Sequence, residues 1–133
     1  MSARPTLIFD FDSTLVDFET LEELADIALA GAPDAQATRN RIAALTDQAM
    51  GGEIGFGEAL RQRLALLPLT REHVETLAAR APDRLTASVR RNLGFFQNGA
   101  ADVVILSGGF REVIAPVAQA LGVPADRLLC NDL

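Results

Sequence analysis

An open parallel α/β sheet interrupted by a helical insertion is the fold class this sequence predicts, and three observations predict it. Residues 7–9 and 103–106, the latter opening at Asp102, are short, continuous apolar runs of the kind that form strands buried on both faces. The stretch between them carries apolar residues at helical spacing and no strand signal. After the second run come a helix and a third short strand, which completes the order strand, helix, strand, helix, strand. The expected layout is a core segment at 1–17, a helical insertion at 18–84 and a returning core segment at 85–133. About three strands are expected in this sheet.

The first strand, Leu7-Ile8-Phe9, runs directly into Asp10-Phe11-Asp12-Ser13-Thr14. Alternate strand residues share a face, so Asp10 and Asp12 are expected to project the same way. Desolvated, unpaired carboxylates are costly, and a divalent cation is the usual compensation. Taken alone, the stretch also reads as a strand that runs into an Asp-rich turn.

Residues 17–29 form an expected helix, with Phe18, Leu21, Leu24, Ala25, Ala28 and Leu29 on one side and Gly31 and Pro33 as its stop. Asp34 is placed to cap a second helix that ends at Met50, before Gly51-Gly52. A third covers 54–67, with Phe56, Leu60, Leu64 and Leu67 as its stripe. Thr70 caps a fourth, in which Val74, Leu77 and Ala78 face inward. Residues 87–97 read as one further helix, closed by Asn98-Gly99. The second strand ends at Ser107-Gly108-Gly109, which is expected to open a helix running through Leu121 to Gly122. Residues 127–130 form the short third strand.

Composition narrows the function classes. The 133 residues carry 12 basic and 18 acidic groups, a net charge of -6, which argues against a nucleic-acid binder, since that needs a basic stripe. All 12 basic residues are arginine, so chemistry that needs a lysine ammonium cannot be completed by this chain alone. The single cysteine, Cys130, excludes an intramolecular disulfide and suits a reducing compartment. With only three residues after it, Cys130 cannot open a cysteine-phosphatase loop, and it reads as a small buried strand residue. The single histidine, His73, argues against His-cluster metal chemistry and is expected on an exposed helix face. The first apolar run is broken by Asp10 and Asp12, so it is neither a signal peptide nor a membrane span. A soluble, cytoplasmic protein without a membrane partner is the expectation.

Ser107-Gly108-Gly109 at a strand-to-helix corner reads as an anion site, since free backbone N–H groups and the positive helix end favour phosphate. Taken alone, a Ser-Gly-Gly turn is as well explained by helix capping. In parallel α/β sheets, however, ligands bind outside the carboxyl ends of the strands. That rule puts Asp10, Asp12 and Ser107 on one rim. Paired carboxylates with a cation, facing a phosphate cradle, describe phosphoryl transfer.

The chain here resembles the haloacid dehalogenase-like phosphatases, whose Asp-x-Asp-x-Thr signature is matched by Asp10-Phe11-Asp12-Ser13-Thr14. Ser107-Gly108-Gly109-Phe110 matches their second motif. Glu19, Ala49-Met50-Gly51-Gly52, Phe56 and the run from Ala59 through Arg63 to Leu66 are similar to the helical cap of the phosphoserine phosphatase branch. The resemblance implies a Rossmann-like core with an inserted helical cap. It further implies magnesium-dependent hydrolysis of O-phospho-L-serine, the last step of serine biosynthesis, through an aspartyl-phosphate. Asp10 is implied as nucleophile and Asp12 as general acid and base, with magnesium at the Asp10 carboxylate and the Asp12 backbone carbonyl. Ser107 and Gly108 are implied to hold the phosphoryl oxygens, Gly109 to line the pocket, Glu19 to take the substrate ammonium and Arg63 its carboxylate. Met50, Gly51 and Phe56 are implied to close over the substrate.

Glu19 and Arg63 also read as ordinary helix residues, and Met50 and Phe56 as core. Two parts of the resemblance are absent: a lysine that contacts phosphate, and a Gly-Asp-Gly-type loop that completes the metal site. At 86–88 Thr-Ala-Ser stands where relatives usually have Thr-Pro-Gly. The expectation is therefore an N-terminal portion of the fold. Residues 6–11 would form an open apolar edge, and the chain on its own would be weakly folded with little or no phosphatase activity. The alternatives are a phosphatase for another small phosphomonoester and a catalytically silent phosphate-binding module.

Overall fold

The computed structural model describes residues 3–133, and the expected order of elements is present in it. Strand β1 (Thr6–Phe9) is followed by helices α1 (Thr20–Ala28), α2 (Ala35–Met50), α3 (Phe56–Ala65) and α4 (Arg71–Arg80). Short helices α5 (Ala87–Arg91) and α6 (Leu93–Gln97) lead to β2 (Asp102–Phe110), α7 (Arg111–Leu121) and β3 (Leu128–Asn131). The strands form one parallel sheet in the order β1-β2-β3, with Phe9 opposite Ile105 and Ile105 opposite Leu128. Among the described residues no helix is long and apolar enough to cross a membrane.

Two compact units make up the chain: one runs up to Glu23 and resumes at Val74–Leu133, and the other is Leu24–His73. The second unit is narrower at both ends than the insertion expected at 18–84. In it, α2 and α3 pack together and bury Ile42 and Ala59. Asp34 precedes α2 as expected, but its side chain makes no capping bond. Gly52, at φ +76°, supplies the left-handed residue that lets the chain leave α2.

In the first unit one sheet face is covered. Phe9 meets Phe96 of α6 at 5.3 Å between ring centres, and α7 packs on β2 and β3. Val113, Ile114, Val117 and Leu121 of α7 are fully buried, and each such side chain contributes roughly 1.5–3 kcal/mol through removal from water. Ile8, Leu106 and Leu129, which alternate with the covered residues, are exposed on the sheet's other face.

Four local expectations change. The helix expected at 87–97 is two pieces, because the Asn92 side chain donates to the Ser88 carbonyl at 2.8 Å and diverts the backbone. The second strand continues through Ser107 to Phe110, so the following helix begins only at Arg111. Phe110 pairs with Asn131 after a register shift, which keeps the glycine segment in the strand. His73 is half-buried rather than exposed. Its Nδ1 accepts from the Thr70 N–H at 3.2 Å while its own N–H donates to Thr70 Oγ1 at 3.3 Å, a capping box with His in the acid's usual place. Cys130 lies on β3 half-buried rather than fully buried.

Candidate active site

The loop after β1 is fixed by its own backbone. The N–H groups of Thr14, Leu15 and Val16 all donate to the Phe11 carbonyl, at 3.2, 3.0 and 3.4 Å. Residues 84–86 clamp the loop from outside: Thr86 donates its N–H to Leu15 O and its hydroxyl to Thr14 O, and Asp17 N–H donates to Arg84 O. The Arg84 guanidinium adds an ion pair to Asp17 at 2.6 Å, a weaker one to Glu23 at 3.4 Å, and a stack over Phe18. Phe11, Leu15, Val16 and Phe18 are buried beneath, so the loop is anchored by apolar residues between its polar ones.

Asp10, at the end of β1, is exposed, and one of its carboxylate oxygens accepts from the Phe11 N–H at 2.7 Å. Asp12 is partly buried and differently held. Its Oδ1 accepts from the Thr20 hydroxyl at 2.5 Å and from the Thr20 N–H at 3.2 Å, at the first residue of α1. Burial pushes the Asp12 carboxyl above the ordinary value of 3.8; the two Thr20 bonds oppose this, while Glu19 and Asp10 reinforce it by repulsion. Two neighbouring carboxylates in unlike settings are what a nucleophile and a proton donor require.

Ser13, between them and the helix, has φ +54°, the only non-glycine residue in the left-handed region among those described. Its hydroxyl donates to Glu19 Oε1 at 2.6 Å, so Glu19 is oriented toward the aspartate loop instead of lying free on the helix.

The Ser-Gly-Gly segment lies on the same rim. A methyl at Gly109 would stand 3.1 Å from Ser107 Oγ and 3.8 Å from Thr20 Oγ1, the hydroxyl that holds Asp12. A side chain at 109 would therefore crowd the Ser107 hydroxyl, while Thr20 lies at ordinary contact distance. Its N–H donates to Ser107 Oγ at 2.9 Å, which leaves the serine's own proton for a ligand. The expected helix-end contribution is absent, since α7 begins two residues later. The exposed Gly108 is fixed through its carbonyl, which accepts from Asn131 Nδ2 at 2.9 Å.

The remaining expected residues lie in the second unit. Met50 is the last residue of α2 and Phe56 the first of α3; both are exposed, which excludes the core reading for them. Gly51 sits between, with its N–H on Asp47 O at 2.8 Å. Arg63 is half-buried, with Nε on Ala59 O and Nη1 on Thr46 Oγ1 at 3.2 Å. Burial lowers its pKa from the ordinary value. It has no carboxylate within ion-pair reach among the described residues, so its charge is uncompensated.

Thr20, Ser13 and Asn131 were not singled out by sequence reasoning. Thr20 carried a weak signal, a hydroxyl residue at the start of a helix, but nothing tied it to Asp12. For a metal, the Asp10 carboxylate and the Asp12 carbonyl are hard oxygen donors of the kind magnesium takes, together with waters. No three His, Cys, Asp or Glu side chains converge among the described residues, so these two donors alone would not complete a coordination shell.

The fold and this rim define a class. The chain belongs to the haloacid dehalogenase-like hydrolase family, whose sequence model matches residues 7–133. Within it, the chain is 38% identical to the phosphoserine phosphatases of Bos taurus and Homo sapiens over 125 residues. Those residues are 94% of this chain and 52% of each relative, so the chain spans about half the length of the curated relatives it matches. A phosphoserine phosphohydrolase-like protein from Francisella tularensis superposes with a TM-score of 0.78 at 30% identity, covering 96% of this chain and 58% of that one. A phosphoserine phosphatase solved as a phospho-aspartyl intermediate analogue gives 0.75 at 30% identity, covering 99% and 58%.

Proposed function

We propose that this chain is the nucleophile-bearing portion of a magnesium-dependent phosphoserine phosphatase. The observation that carries the reading is the rim on which Asp10, the Thr20-held Asp12 and the Ser107–Gly109 segment meet. The similarity to phosphoserine phosphatases over 94% of the chain supports the same reading.

In this mechanism Asp10 attacks the phosphorus and forms an aspartyl-phosphate, while the serine oxygen leaves. Its free carboxylate oxygen does this, since the other is occupied by the Phe11 N–H. Asp12, whose carboxyl is raised by burial, gives the leaving oxygen its proton and later takes one from the water that hydrolyses the intermediate. The Ser107 hydroxyl and the Gly108 N–H hold phosphoryl oxygens. Magnesium at the Asp10 carboxylate and the Asp12 carbonyl would, when bound, offset the charge between nucleophile and phosphate.

Glu19, aimed by Ser13, takes the substrate ammonium, and Arg63 takes its carboxylate as a planar fork. In this reading Gly109 lines the pocket, and the helical segment carrying Met50, Gly51 and Phe56 serves as the cap that closes it. Serine biosynthesis in the cytoplasm is the setting this substrate gives.

The test joins this chain to the second half of the human phosphoserine phosphatase and measures phosphate release with magnesium. Phosphoserine hydrolysis that is lost in Asp10→Asn is expected, with phosphothreonine and sugar phosphates turned over more slowly. Hydrolysis that survives Asp10→Asn overturns the assignment. A phosphate-binding module without turnover is the second reading. Tight phosphoserine binding without hydrolysis in the joined protein would establish it.

A further inference from the structure

In the first unit, at the amino ends of β1 and β2, lies a cavity of about 240 Å³. The four residues of β1, at about 3.3 Å each, separate it from Asp10 at that strand's other end. Buried Phe96, Val103 and Val123 give the cavity an apolar wall, and Arg4, Asp102 and Arg127 are its charged lining. Arg4 is already engaged. Its Nη1 donates to the Gly99 carbonyl at 3.1 Å, and its Nη2 donates to Asp102 Oδ1 at 2.9 Å. Arg127 is half-buried, yet its guanidinium has neither an ion pair nor a hydrogen-bond acceptor among the described residues. A guanidinium presents its N–H donors in a fixed fork, and a partly buried charge without a partner is unfavourable. Asp102 offsets Arg4, so the positive charge left over in the cavity is that of Arg127.

We infer that this cavity binds a small monocarboxylate with an apolar body, its carboxylate on the Arg127 fork and its body against Phe96, Val103 and Val123. A single negative charge matches the lining. A phosphate dianion fits less well, because it would face the Asp102 carboxylate. It would also face the carbonyl end of α7, which reaches the cavity at Gly122 and carries partial negative charge. The cavity lies apart from the aspartate rim, and the inference does not rest on the reaction proposed there.

The test titrates benzoate, with benzamide and inorganic phosphate as comparisons, into two proteins: the intact chain, and the chain joined to the second half of the human phosphoserine phosphatase. Amide shifts of Gly99, Gly122 and Val123 in nitrogen-15 NMR report binding. Benzoate should bind both proteins with a Kd of about 1–10 mM, and benzamide and phosphate about tenfold more weakly or worse. Arg127→Gln should weaken benzoate binding about tenfold, and Arg127→Lys, which keeps the charge and loses the fork, should weaken it less. Asp102→Asn, which releases Arg4, should tighten it about threefold or more. Asp10→Asn should leave it unchanged, which separates this site from the rim. Binding that Arg127→Gln and Arg127→Lys leave unchanged, or that benzamide or phosphate matches, overturns the inference. So does binding confined to the unjoined chain, or the absence of any shift in both proteins.

Discussion

Replacing Thr20 with valine keeps the side chain's shape and removes one hydroxyl, so it isolates the bond that holds Asp12. Thr20 is 1% exposed, and its hydroxyl reaches Asp12 Oδ1 at 2.5 Å. A hydrogen bond to a charged group contributes about 1.5–3 kcal/mol, and the partial exposure of Asp12 puts this one toward the lower end. Thr20→Val should therefore cost about 1.5–2 kcal/mol at neutral pH, because the Thr20 N–H bond at 3.2 Å survives.

The pH dependence follows from burial. The folded-state pKa of Asp12 lies above the ordinary 3.8, so the native state holds its proton more tightly than the unfolded one. The stability that this group contributes is complete below 3.8 and is lost as pH rises through the folded value. Loss of the Thr20 hydroxyl raises the folded value further and extends that loss to higher pH. Urea unfolding of wild type, Thr20→Val, Asp12→Asn and the double variant, at acidic and at neutral pH, measures this. The cost of Thr20→Val should shrink below pH 3.8, and should fall to about 1 kcal/mol in the Asp12→Asn background, where the bond is neutral. An equal cost in both backgrounds and at both pH values refutes the reasoning.

Gly109→Ala should push its methyl against Ser107 Oγ, 3.1 Å away, destabilising the chain by about 1–3 kcal/mol in urea and weakening phosphate binding in the joined protein. Arg84→Ala should cost about 1 kcal/mol, reduced at high salt, because its pairs with Asp17 and Glu23 are partly exposed; salt-dependent thermal unfolding reads this. Cys130, whose thiol is raised above 9.0 chiefly by burial, should alkylate with iodoacetamide more slowly at neutral pH than a free small thiol; a faster rate contradicts that setting.

Long-range order was easier to read than local detail. Apolar runs and helical periodicity gave the three parallel strands and the helical segment, because those patterns reflect burial, which dominates folding. The break at Asn92 was hidden, since a single side chain folding back on Ser88 leaves the apolar spacing unchanged. The continuation of β2 through Ser107–Phe110 was also hidden: glycines there suggested a corner, while pairing of Phe110 with Asn131 keeps the strand going. Asp10 and Asp12 stood out because carboxylates at the end of an apolar strand need a reason. Thr20 and Asn131 did not, because their work is to hold Asp12 and Gly108, and a supporting hydrogen bond leaves no mark in composition or spacing.

The central claim is that Asp10 accepts the phosphoryl group and Asp12 moves protons. Borohydride reduction during phosphoserine turnover converts an aspartyl-phosphate to homoserine, which peptide mass spectrometry locates in the chain joined to the human second half. Homoserine at position 10, with residue 12 unmodified, is the predicted result. Homoserine at position 12, or turnover without reduction at either position, would contradict it.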